Sequence, residues 1–86
     1  SLFSPSMPSM PEGPLPPSVP AMLEELGLSK YCRRFVDEDM TDSAMLLAMA
    51  RMPGGHAEVR AILKELGLSV GHRERLLLAL STRQLG

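Results

Sequence analysis

One phrase, written twice, constrains this chain more than anything else in it. Leu23-Glu24-Glu25-Leu26-Gly27-Leu28-Ser29 returns, with one charge reversed, as Leu63-Lys64-Glu65-Leu66-Gly67-Leu68-Ser69. Each copy runs from the apolar face of a helix into a glycine, the residue on which helices commonly stop in a left-handed conformation. Each then offers a serine that can cap a following helix. The phrase reads as helix end, tight connection, helix start. The match is short, so it describes two helices with similar packing duties and not a repeat array.

The rest of the chain fills in three more helices. Ser18 is a plausible N-cap, Pro20 is tolerated in a first turn, and Val19, Met22, Leu23 and Leu26 form one buried stripe. A second helix follows Ser29, with Tyr31, Cys32, Phe35 and Val36 facing inward and Lys30, Arg33 and Arg34 outward. Thr41 or Asp42 caps a third, to about Met49, which buries Met45, Leu46 and Met49. Arg51-Met52-Pro53-Gly54-Gly55-His56 then breaks the chain. A fourth helix over 57–66 repeats the first stripe as Val59, Ile62, Leu63 and Leu66. Ser69 caps a fifth, from Val70 to Thr82 or beyond, with Leu76, Leu77 and Leu80 inward and Val70 extending that face. The 86 residues allow one domain, and aromatics at only 3 % leave a core of Leu, Met, Val and Ala, which suits helices. The expectation is an all-α, compact five-helix bundle.

Ahead of it lies a proline-rich leader. Pro5, Pro8, Pro11, Pro14, Pro17 and Pro20 keep the three-residue period of a polyproline II helix. With few large apolar residues to bury, residues 1–17 read as an extended or disordered linker and residues 18–86 as the folded domain. A ligand for proline-binding modules is the competing reading. No Lys or Arg appears before Lys30 to meet the acidic rim of such grooves, so the linker is preferred.

Two charged sites break local rules. Asp37-Glu38-Asp39 sits where the second helix ends, against the helix dipole, at a few tenths to about 1 kcal/mol per exposed charge. Asp42 faces no such conflict and reads as an ordinary cap. At the start of the fifth helix Arg73 and Arg75 crowd the positive dipole end, and Gly71 costs about 1 kcal/mol against Ala, which suggests that a backbone or a partner comes close. Local rules broken at two places mark candidate functional surfaces.

Other function classes draw little from the residues. A formal net charge of −1 gives no general pull toward nucleic acid or anionic membrane. Cys32, on an apolar helix face, is expected to be an inert thiol, and with His56 and His72 it falls short of a zinc or catalytic set. No catalytic residue, metal or cofactor is expected. Tyr31 is a packing residue on this reading, not a modification site. A single cysteine fits a reducing, intracellular setting, placed in the cytoplasm; no membrane span or signal peptide is read, and an opening Ser1 suggests a piece of a longer protein.

The order of these residues resembles a known family. Leu26-Gly27-Leu28-Ser29-Lys30-Tyr31, Phe35, the acidic cluster and Leu46-Leu47 look like the first half of a sterile alpha motif (SAM) domain. Leu63-Lys64-Glu65-Leu66-Gly67-Leu68, Gly71-His72-Arg73, Leu76-Leu77 and Ala79-Leu80 look like the second half, so the resemblance covers about residues 18–85. The chain departs from the family in holding Ala48 to Ile62 between helix three and the second phrase, which implies a longer connection there or an extended helix four.

The resemblance implies a protein-interaction module of a scaffold or signalling protein, pairing with a SAM domain of the same or another protein. Its acidic mid-loop surface would be Asp37, Glu38, Asp39 and Asp42, and its end-helix surface Gly71, His72, Arg73 and Arg75. Two such surfaces on one subunit make a head-to-tail contact that can propagate into an oligomer. The alternative is an RNA-hairpin-binding SAM domain using Arg73, Arg75 and Arg83 with His72, which the net charge and Glu74 argue against.

Overall fold

The computed structural model describes residues 13–84, and within them the chain is all-α with no strand. Five helices follow in order: α1 Val19–Glu25, α2 Cys32–Asp37, α3 Ser43–Arg51, α4 Gly55–Glu65 and α5 Val70–Thr82, with a 3-10 turn at Ser29–Tyr31 leading into α2. The expected five-helix bundle is what the chain forms. α3, α4 and α5 pack on one another, while α1 and α2 with the 3-10 turn close the other side.

The core is aliphatic around one ring. Phe35 is fully buried among Met22, Leu23, Leu28, Leu46, Val59, Leu63, Leu76 and Leu80. Truncating a buried Phe to Ala typically costs about 3–5 kcal/mol, a large part of what holds a small domain together. Tyr31 and Cys32 pack at the margin of this core. Val36, expected inside, is 45 % exposed, because the one and a half turns of α2 present only Phe35 squarely inward.

Side-chain caps mark where two of the five helices begin, α1 and α3. Ser18 Oγ accepts from Ala21 N–H at 3.3 Å, with proline in the first turn of α1. Asp42, not Thr41, caps α3 by accepting from Ala44 N–H at 2.9 Å. Ser29 and Ser69 make no cap bond of their own. On α3 the buried face is Ser43, Leu46, Leu47 and Ala50, one residue out of phase with the expected one, and Met45 is 40 % exposed. Ser43 heads that stripe by setting its hydroxyl 3.8 Å from Met22 Sδ, a weak sulfur acceptor.

The stretch from Ala48 to Ile62 goes into helix, not into loop. Only residues 52–54 separate α3 from α4. Met52, preceding Pro53, takes the extended conformation that a following proline enforces (φ −78, ψ 157), which stops α3. Gly54 turns the chain at φ 75. Gly55 then brings α4 so close to α3 that an added Cβ would lie 1.9 Å from the Met49 carbonyl oxygen, so only glycine fits there. His56, expected in the break, stands in the first turn of α4 with Nε2 3.2 Å from Ser81 Oγ on α5.

The end of the leader belongs to the bundle. Leu15 is 0 % exposed and part of the core, where full burial of a leucine is worth about 1.5–3 kcal/mol. Its N–H donates to Gln84 C=O at 2.6 Å, and Ser43 N–H donates to Pro17 C=O at 3.1 Å. Ser18 pairs with Asp42 in an isolated antiparallel bridge. Arg83 fastens the segment from the other side, its guanidinium donating to Gly13 C=O at 2.8 Å, to Pro14 C=O at 3.2 Å and to the Glu25 carboxylate. The boundary expected at residue 17 therefore gives way to packing that reaches back to residue 13. The remainder of the proline-rich leader, residues 1–12, lies outside the described residues, and so does its reading as a linker or a proline-module ligand.

Candidate functional site

Three helices of the bundle end in the same backbone arrangement, and the candidate acidic surface is one of them. At the end of α1, Leu28 N–H donates to Leu23 C=O at 2.7 Å and Gly27 N–H to Glu24 C=O at 3.2 Å. At the end of α4, Leu68 N–H reaches Leu63 C=O at 3.1 Å and Gly67 N–H reaches Lys64 C=O at 3.0 Å. At the end of α2, Met40 N–H reaches Phe35 C=O at 2.8 Å and Asp39 N–H reaches Val36 C=O at 3.0 Å. This bond pair closes a helix through one residue in the left-handed region. The residue is Gly27 (φ 76) and Gly67 (φ 93) in the doubled phrase, but Asp39 (φ 59) after α2. A side chain in that region carries about 1–2 kcal/mol of steric cost, less for Asp and Asn than for most.

Around Asp39 the carboxylates face solvent. Asp37, Glu38, Asp39 and Asp42 are all exposed. Asp37 meets Arg33 at 3.8 Å, a loose pair with both partners well solvated, and Asp42 is engaged as the α3 cap. Among the described residues the ion pairs are Arg33–Asp37, Arg60–Glu74 and Arg83–Glu25, so none includes Glu38 or Asp39.

The head of α5 is built differently. Arg73 donates to the Leu68 carbonyl at 3.0 Å, and Arg75 donates to the Leu26 carbonyl at 3.1 Å. Both carbonyls belong to the Leu-Gly-Leu connections, where backbone acceptors are left over as the helix ends. Arg75 thus caps the end of α1, while Arg73 holds the carbonyl of the residue just before the α5 N-cap. Between them Glu74 receives Arg60 of α4 in a two-pronged pair at 2.7 and 3.0 Å. The hydrogen bond from Arg60 holds the Glu74 carboxyl below its ordinary range and pushes Arg60 upward.

His72 faces inward to Tyr31. The Tyr31 hydroxyl lies 2.6 Å and the Ser69 hydroxyl 3.0 Å from His72 Nδ1, with the Tyr31 and His72 rings edge to face at 5.4 Å. Gly71 is exposed, and among the described residues a Cβ added to it would meet nothing within 4 Å beyond its own turn of helix. Val70, expected to extend the buried face, is 64 % exposed beside it.

The structure keeps the two expected surfaces apart, with no hydrogen bond or ion pair between them among the described residues. What the sequence reasoning missed is a groove of about 290 Å³ between the end of α2 and the end of α4, lined by Arg34, Glu38, Met40, Ile62, Glu65 and Leu66. The signal was present in part, since Glu65 and Leu66 lie in the doubled phrase and Glu38 in the acidic knot. Among the described residues no cluster of three metal-capable side chains occurs, and no helix is long and apolar enough to cross a membrane. No family model matches the chain, and neither a curated protein nor a solved structure does.

Proposed function

We propose that this chain is a protein-interaction module of a larger scaffold or signalling protein, of the SAM kind. It would pair with another SAM domain through an acidic mid-loop surface at Asp37, Glu38 and Asp39, with the head of α5 at Gly71 as a second contact. The observation that carries this reading is Asp39. Two of three equivalent helix ends use glycine at the left-handed position, and the third uses a carboxylate preceded by two more. Folding alone favours glycine there and cations around it. A strained residue kept at an exposed surface points toward function. The open space before Gly71 and the bare Val70 support a partner's close approach at the head of α5.

The RNA-hairpin reading draws less support. Arg73 and Arg75 each have a guanidinium nitrogen on a backbone carbonyl, and Arg83 is clamped to Gly13, Pro14 and Glu25. Phosphate recognition depends on lysines and arginines free to neutralise phosphates and displace the counter-ions of the nucleic acid.

Sedimentation velocity with a panel of SAM domains tests the proposal. The wild-type chain is expected to bind at least one of them, and Asp39→Lys to lose that binding by at least about ten-fold. Binding should also weaken between 0.1 M and 1 M salt, as the Debye length falls from about 10 Å to about 3 Å. If wild type, Asp39→Lys and Arg73→Glu all stay monomeric with every domain tried, the reading fails.

A further inference from the structure

We propose that the proline-rich leader turns back at Gly13 and docks on the outer face of α3, with Met7 against Met45 and Met10 against Met52. That face is apolar throughout. Ala44, Met45, Ala48 and Met52 are exposed and Met49 is half-buried, with Met45 and Met52 standing 40 % and 63 % open. Arg51, the one charge of the helix, stands at the edge of the face and is turned aside to donate to the Arg83 carbonyl. The neighbouring α4 shows the contrast, since its exposed residues include His56, Glu58, Arg60, Lys64 and Glu65. A contiguous apolar patch on such a surface marks a contact site.

The leader enters the bundle where this face ends. Arg51 in the last turn of α3 donates to Arg83 C=O at 3.1 Å, and the Arg83 guanidinium donates to Gly13 C=O at 2.8 Å. Residues 14–18 then follow α3 back to its first turn, where Ser43 N–H meets Pro17 C=O. Gly13 itself has φ 100, a backbone conformation that glycine adopts readily and that suits a reversal of the chain. The corner also lacks an acceptor. The Arg83 side chain is 9 % exposed, and its Nη1 is buried with no hydrogen-bond partner among the described residues. A buried guanidinium nitrogen left unpaired is costly, and Glu12, the one charged residue of the first 12, adjoins Gly13. A leader that left the bundle at Gly13 would carry that carboxylate away.

The spacings match. In a polyproline II chain, residues three apart share a face and lie about 9 Å from each other, which is the relation of Met7 to Met10. Met45 and Met52 are separated by about 10 Å along the α3 axis. Residues 11–13 are left to make the turn. Tethering decides the occupant. The 9 residues of α3 span only about 14 Å, so one face of the helix falls far short of the roughly 800 Å² per partner of a standard interface, which tells against a second copy or a separate protein. A segment already held at Gly13 acts at an effective concentration in the millimolar range and needs only a few apolar contacts.

The test uses the 86-residue chain throughout. Peroxide converts methionine to sulfoxide according to its access, and peptide mapping reads each site separately. Met7→Ser with Met10→Ser removes the leader's methionines and leaves residues 13–84 unaltered. Met45 and Met52 should then oxidise about three-fold faster or more than in wild type, because the docked leader no longer shields them. Met22, fully buried, should stay slow in both chains and reports an intact fold. Independently of the variant, wild-type cross-peaks should join the ε-methyls of Met10 and Met52, and those of Met7 and Met45, and should persist on dilution. Equal oxidation rates in the two chains overturn the proposal, and so does the absence of these cross-peaks. Cross-peaks that fade on dilution assign the face to a second copy and overturn it as well.

Discussion

The two charged regions of this small bundle look alike on paper and differ in the fold. Both put charges where the helix dipole disfavours them, acids at the end of α2 and arginines at the start of α5. The arginines turn out to be internal fittings, since Arg73 and Arg75 hold carbonyls of the two Leu-Gly-Leu connections. Arg34 does the same for Glu65, Arg51 for Arg83, and Arg83 for Gly13 and Pro14. The acids have no comparable duty. Glu38 and Asp39 pair with nothing among the described residues, and Asp39 occupies a backbone conformation that glycine fills at both sister sites. A misplaced charge is therefore evidence of function only after its hydrogen bonds have been traced.

The sharpest way to break this contrast is to remove the arginines. Arg73→Met with Arg75→Met keeps the aliphatic stems and deletes two charged donors to backbone carbonyls. Charged hydrogen bonds are worth about 1.5–3 kcal/mol each and less when partly solvated, so the double variant should lose about 2 kcal/mol in urea unfolding. If it unfolds at the wild-type midpoint, the bonds are incidental and the α5 head returns as a free basic surface.

A smaller effect of opposite sign is expected on the acidic side. Asp39→Gly relieves the left-handed side chain and one dipole clash, and should raise stability by about 0.5–1 kcal/mol, net of the greater chain entropy of glycine. The same variant should weaken partner binding. Stabilisation without loss of binding would detach the strained residue from function, and destabilisation would show that Asp39 does serve the fold.

The smallest effect concerns Glu74, placed between the two arginines. Its carboxyl is held below the ordinary value by Arg60, so its contribution is present above the unfolded-state value near 4.5 and is lost as pH falls through the lower folded-state value. Glu74→Gln should shift the melting temperature at pH 7 by less than about 2 °C, and wild type and variant should converge at acid pH, once Glu74 is protonated in the folded state too. Equal melting at pH 7 would class the pair as solvated surface, like Arg33–Asp37.

Much of the fold was legible in the residues, because the doubled phrase and the apolar stripes are local signals. α5 starts and stops where its cap and periodicity place it. The errors also have local causes. Residues 44–50 are all apolar, so more than one phase fits a buried stripe, and the packing chose Leu47 over Met45. Val36 and Val70 stand at helix ends, where a stripe runs past the core. Leu15 is a lone apolar residue among prolines, with no period to announce it. Of the candidate site, the acidic half was legible as a composition and a position. The engagement of the arginines was not, since Arg75 and the carbonyl it holds are 49 residues apart. No spacing rule reaches that far.

The junction of Leu15 with Gln84 has a mechanical side. The bond between them and the Arg83 clamp bring residues 13–15 against the end of α5, so the chain enters and leaves the bundle at one corner. Force applied along the backbone at that corner is expected to load this short seam before it loads the helices.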